Sequence, residues 1–211
     1  MTGLRERKKR EIRHRMIETA ARLFAERGID ATTMEEIAAA ADVSVGTVYN
    51  YFGTKNRLLL AGIEEDTDAM IASGSAVVEA PGPDPIAATQ RLLGAYLDHF
   101  TGWDRRLLRE IFGAAFQRTN DEDLATELFA MDERLIEQMM MLLSRFQQEG
   151  MLRAGVDVSE ATLLVFSGFV TQLFMYMGVE SVTPSDLRAG VNRQTELAFS
   201  GLSTNEKAKG T

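Results

Sequence analysis

The residues 45–52, VGTVYNYF, crowd Thr47, Tyr49, Asn50 and Tyr51 onto little more than two helical turns, behind Val45 and Gly46. These groups do not make or break covalent bonds; they suit the reading of a surface by hydrogen bonds and methyl contacts. An asparagine can pair bidentately with the N6/N7 edge of adenine, and threonine and valine methyls can meet the thymine methyl. Tyrosine hydroxyls reach phosphate oxygens, as can a lysine such as Lys55 and helix N-termini at Thr33 and Thr54. Asn50 faces either a base or solvent. Tyr49 combines packing beneath the short helix with a hydroxyl on phosphate.

Other chemistries are poorly supplied. The chain has no cysteine and two histidines, His14 and His99, which excludes disulfides, thiolate zinc sites and a cysteine nucleophile. No cofactor or metal is expected. Glu64, Glu65 and Asp66 are consecutive and therefore diverge around a helix instead of converging as an acid/base pair. There is no phosphate loop and no serine nucleophile signature. An enzyme is the weakest reading. A helical-bundle adaptor that never touches DNA is the stronger alternative, although it would have no need of a short polar helix behind a basic segment.

The elements that must hold 45–52 in place are helical throughout. Residues 7–26 carry an apolar stripe of Ile12, Met16, Ala20, Leu23 and Phe24, stopped by Gly28. Two overlapping capping patterns follow, Thr32 with Glu35 and Thr33 with Glu36, opening a helix that ends near Ala41. Ser44 caps 45–52, Gly53 stops it, and Thr54 caps a fourth helix running to about Ser73. The stretch 80–85, APGPDP, holds three of the four prolines. Asp84 and Pro85 then open a helix at 85–102. Further helices are expected at 104–118, 121–149, 159–178 and 184–202, the last capped by Thr183. The fold class is all-α, about nine helices. Residues 10–70 are expected to form a helix-turn-helix DNA-binding domain and 83–203 a second, larger helical domain, with flexible tails at 1–9 and 203–211. Two short helices joined by a tight turn place the second in the major groove while the first crosses the backbone.

Charge supports an anionic partner at one end. The chain's net charge is −8, yet its first 57 residues carry eleven basic against eight acidic side chains, and its first fifteen carry seven against two. The basic run is either a solvated disordered arm or a minor-groove or phosphate contact. The most apolar segment, 161–179, is interrupted by Ser167, Gly168, Thr171 and Gln172 and bracketed by Glu160 and Glu180. It reads as a buried helix and not a membrane span, in a cytoplasmic protein.

The segment AARLFAERGIDATTMEEIAAAADVSVGTVYNYFGTKNRLL closely resembles the DNA-binding region of TetR-family transcriptional repressors. The resemblance rests on Ala21, Phe24, Gly28, Thr33, Ile37, Ala38, Ala41, Val43, Ser44, Thr47, Tyr49, Tyr51, Phe52, Lys55 and Leu58 at the family's spacing. EGMLRAGVDVSEAT, 149–162, is similar to the family's lead into its eighth helix. The resemblance implies a homodimer with one reading head per subunit and a four-helix bundle made by helices eight and nine of both copies. It also implies a cavity among helices five to eight whose small-molecule ligand changes the spacing of the heads and releases a near-palindromic double-stranded operator.

The residues add their own support. A helix apolar on nearly all sides needs cover from a second body. Leu164, Gly168, Thr171 and Met175, with Leu197, are the candidate dimer contacts. Tyr96, Phe100, Trp103, Phe112, Phe116, Met139, Phe166, Phe169 and Gln172 are candidate contacts for a small hydrophobic effector, or else plain core. His99, Arg109 and Gln117 are further polar candidates.

Overall fold

A computed structural model describes residues 3–116 and 122–203, with the side chains of 116, 122 and 123 left aside. Gln117 and the 204–211 part of the expected tail lie outside the described residues, as does the Phe116 side chain. Among the described residues there are nine α-helices and no strand. They are α1 (Leu4–Arg27), α2 (Met34–Ala40), α3 (Val45–Phe52), α4 (Lys55–Glu79), α5 (Pro85–Gly102), α6 (Arg105–Phe116), α7 (Glu122–Gln148), α8 (Val158–Gly178) and α9 (Pro184–Leu202). They group into two compact units. One holds 3–67 with 103–129, the other 68–102 with 130–203, so α4 and α7 contribute to both.

Caps set many of the boundaries. Of the two overlapping threonine patterns, Thr33 forms the capping box: its hydroxyl accepts from Glu36 N, and Glu36 Oε2 accepts from Thr33 N at 3.0 Å. Thr32 is buried instead and donates to the carbonyls of Leu23 and Gly28. Ser44 Oγ accepts from Thr47 N at 3.1 Å, Thr54 Oγ1 from Arg57 N, and Asp84 Oδ1 from Ile86 N and Ala87 N. Thr183 repeats the capping box with Asp186. Gly28, at φ 90°, supplies the conformation that lets its N–H close α1 on Phe24 O.

Two boundaries differ from expectation. The first helix begins at Leu4, not near residue 7, so the basic run is helical from its first turn. The fourth helix passes through Gly74 and ends at Glu79, not at Ser73. Gly74 is not a stop there. A Cβ at that position would collide with the Gln138 carboxamide and with Leu92, so the glycine makes room for a buried polar side chain.

In the second unit the core is built by α5, α7, α8 and α9 around Leu92, Tyr96, Leu135, Met139, Phe146, Phe169, Val191 and Phe199. Helices α8 and α9 interlock. Gly190 leaves space for the Gln172 side chain, and a Cβ on Gly168 would come 2.9 Å from Gln194 Oε1. Each helix thus offers a glycine slot to the other's glutamine. Arg153, in the turn before α8, closes the end of α9 by donating to Ser200 O and Ser203 O.

Candidate nucleic-acid interface

Helix α3 turns only Val48 and Phe52 inward, one turn apart; Val48 is fully buried. Val45, Gly46, Tyr49 and Asn50 are exposed, and Tyr49 keeps 47% of its surface. Thr47 and Tyr51 are half-buried. Phe52 is core, as its type suggests, with its ring 6.1 Å from that of Tyr51. The Arg13 guanidinium lies 5.8 Å from the Phe52 ring centre and also pairs with Glu65, so α1, α3 and α4 meet at one cation. Two inward residues in eight suffice to seat the helix, leaving the hydrogen-bonding side free for another body.

The preceding helix is positioned by charge as well as by caps. Glu36 accepts the Thr33 N–H and pairs with Arg27 at 2.8 Å. The backbone N–H of Thr33 is the main influence holding its carboxyl below the usual range. Both Ser44 and Thr47 use their hydroxyls within the cap, 2.7 Å apart, on the exposed surface. Thr33 and Thr54 are exposed at the starts of their helices.

Lys55 is placed differently from the other candidates. Its ammonium donates to the carbonyls of Ile29, Asp30 and Thr32 at 2.5, 3.2 and 2.9 Å. An ammonium has three donors, and all three are taken. Lys55 therefore clamps the α1–α2 turn to the start of α4. The same turn is held from the other side, where Glu110 accepts the Ile29 N–H at 3.0 Å and pairs with Arg106.

The candidate effector residues are divided between the two units. Phe169 stands against Tyr96, Phe100 and Phe166 with ring centres 5.7–6.1 Å apart, all four buried in the second unit with Met139. Trp103 and Phe112 belong to the first unit, both half-buried, and Trp103 Nε1 donates to Asp66 at 3.0 Å. Gln172 is turned to α9, against Gly190. The buried polar member that sequence reasoning missed is Gln138. It is 3% exposed, donates to Ile71 O and Ser75 Oγ, and accepts from Tyr96 O–H at 2.8 Å. Burial pushes the Tyr96 phenol well above its ordinary range, so it remains a donor. Among the described residues no cluster of three or more His, Asp or Glu side chains could hold a metal.

Of the candidate dimer residues, Leu164, Thr171, Met175 and Leu197 are exposed; Leu164 keeps 54% and Leu197 74% of its surface. Leu163, Phe174 and Val179 extend the apolar surface along α8. Gly168 is half-buried and faces Gln194 within the chain. Helix α8 is long and apolar enough to cross a membrane by length and composition, and 44% of that stretch is buried inside the chain.

A short helix seated by two side chains after a capped turn, with its polar side outward, defines a helix-turn-helix protein of the all-helical class. Residues 16–61 match the model of bacterial regulatory proteins, tetR family. The HTH-type transcriptional regulator TcmR of Streptomyces glaucescens is 34% identical over 95 residues, 45% of this chain and 41% of that protein. The chain thus spans less than half the length of the curated relatives it first matches. A TetR-family transcriptional regulator from Mesorhizobium loti shares the fold at a TM-score of 0.75 and 20% identity, over 92% of this chain and 98% of that one. The regulator FadR from Bacillus subtilis, in complex with stearoyl-CoA, shares it at 0.71 and 20% identity, over 89% and 98%.

Proposed function

We propose that this protein is a ligand-responsive, sequence-specific transcriptional regulator, a repressor that leaves a near-palindromic operator when a small, largely apolar effector binds. The observation that carries the reading is the outward side of α3, where Val45, Gly46, Tyr49 and Asn50 are exposed beside Thr47 and Tyr51 while only Val48 and Phe52 are buried. Residues 10–70 act as the DNA-binding domain and 83–203 as the ligand-binding and dimerisation domain. Thr47, Tyr49 and Asn50 read the groove. Thr33, Ser44, Thr54 and Tyr51 contact phosphates, and Lys55 supports them by holding the turn.

The protein acts as a homodimer in the cytoplasm, with no catalytic role. The apolar strip of Leu164, Met175 and Leu197 supports the pairing, because a strip of that kind is stable in water when a second copy covers it. Two heads related by a two-fold axis demand half-sites about 34–36 Å apart, one helical turn of DNA. The effector must bind the released conformation better than the bound one, since only differential affinity moves a population. The buried aromatic group around Phe169, and the stearoyl-CoA held by the FadR of Bacillus subtilis, support an effector with a substantial apolar part.

Selection of genomic fragments bound by the protein, followed by footprinting, tests the reading. Recovery of a common near-palindrome protected as two half-sites is the expected result. Recovery of no common sequence would remove the reading and favour the adaptor alternative.

A further inference from the structure

Helix α1 and helix α3 enclose an open concavity of about 590 Å³ lined by Glu6, Lys9, Arg10, Arg13, Asn50 and Tyr51. Arg13 is engaged with Glu65 and the Phe52 ring. Lys9 and Arg10 are exposed, and among the described residues no ion pair to either is found. They leave two cations facing one carboxylate, Glu6, beside the hydroxyl of Tyr51. Such a set of donors fits a phosphate diester.

We propose that Lys9 and Arg10 on α1, with Tyr51 on α3, form a phosphate subsite. It seats the sugar–phosphate backbone that borders the groove entered by α3. The inference rests on the DNA-binding reading above and assigns the basic end to the backbone instead of the minor groove. Dimensions decide between these two. The basic residues are not on a flexible arm; they belong to a continuous helix from Leu4. A helix with its side chains is about 10–12 Å across, whereas the minor groove is about 6 Å wide. A helical segment cannot enter that groove, but it can lie along its phosphate wall. Arg13 is a positioning residue that ties α1 to α3 through the Phe52 ring and to α4 through Glu65.

The test uses the full chain and a fluorescently labelled mixed-sequence duplex of about three helical turns. Two further duplexes of that length are all A·T and all G·C. Anisotropy titrations between about 50 and 200 mM salt give the slope of log affinity against log salt, which counts neutralised phosphates at about 0.9 each. The variant Lys9→Ala with Arg10→Ala removes two cations from each of two subunits and is expected to flatten the slope by about 3.6 on all three duplexes. Its melting temperature should stay at the wild-type value, because both side chains are exposed. A charge-matched variant, Lys8→Ala with Arg15→Ala, alters exposed positions of α1 outside the cleft and should flatten the slope less than half as much. Equal slopes for the two variants would overturn the subsite in favour of diffuse attraction. A larger loss on the A·T duplex would overturn it in favour of minor-groove reading. Wild-type protein that binds no duplex would sink the DNA-binding reading itself, and the subsite with it.

Discussion

Helices α3 and α8 both leave one side without cover from their own chain, and the two uncovered sides are chemically opposite. Around α3 the open groups are Tyr49, Asn50 and the Ser44–Thr47 hydroxyl pair, with Lys9 and Arg10 close by on α1. Along α8 they are Leu163, Leu164 and Met175, with Leu197 on α9. Open apolar surface lowers its free energy by meeting more apolar surface, at roughly 25 cal/mol per Å² removed from water. Open hydrogen-bonding groups are already satisfied by water and gain only from a partner that matches their geometry. The apolar side therefore wants a permanent cover, whereas the polar side suits a partner that comes and goes. A regulator of the kind proposed needs one of each.

The comparison breaks most readily at the few side chains that seat α3. Phe52→Ala removes one of its two buried anchors, and truncation of a buried phenylalanine costs about 3–5 kcal/mol. Thermal melting should show the first unit destabilised by an amount of that order. An unchanged melt would mean that α3 is not held by its own core. On the apolar side, Leu164→Arg with Leu197→Arg should convert the proposed dimer to monomer in sedimentation equilibrium. A variant that sediments as wild type would show that this strip is not the dimer surface.

Lys55→Met sharpens the comparison within the head. Loss of three charge-assisted hydrogen bonds to the α1–α2 turn should lower melting temperature as well as DNA affinity. A phosphate contact alone would lower affinity and leave the melt untouched. A smaller effect is expected at Asp132 on α7, whose carboxyl burial pushes up to about 6. A carboxyl with a raised folded pKa binds more protons when folded, so stability falls as pH rises from about 4 to about 6 and then levels. Asp132→Asn should remove that fall and raise the melting temperature at neutral pH; a pH profile identical to wild type would contradict the assignment.

Much of this was legible in the sequence because helix ends are local events. Ser44, Thr33, Asp84, Pro85 and Thr183 announce their helices within four residues, and α3, α5 and α9 begin and end where those signals put them. What was not legible depends on residues far apart in the chain. Nothing near Gly74 reveals that Gln138 lies against it, so the glycine reads as a stop. Lys55 reads as a phosphate contact until Ile29, Asp30 and Thr32 are seen to occupy its ammonium. Gly168 reads as a seat for a second subunit until Gln194 is found against it. The aromatic residues of helices five to eight share one chemistry, and only packing separates Phe169 and its neighbours from Trp103 and Phe112, which lie in the other unit.

The central claim is that the outward side of α3 reads DNA sequence. The most direct measurement is a pair of anisotropy titrations for wild type, Thr47→Ala and Tyr49→Ala, at one salt concentration. One titration uses a genomically selected duplex and the other a shuffled duplex of the same composition. The account predicts that both variants keep the wild-type melting temperature and the affinity for shuffled DNA while losing most of the preference for the selected sequence. Wild-type preference retained by both variants would contradict it.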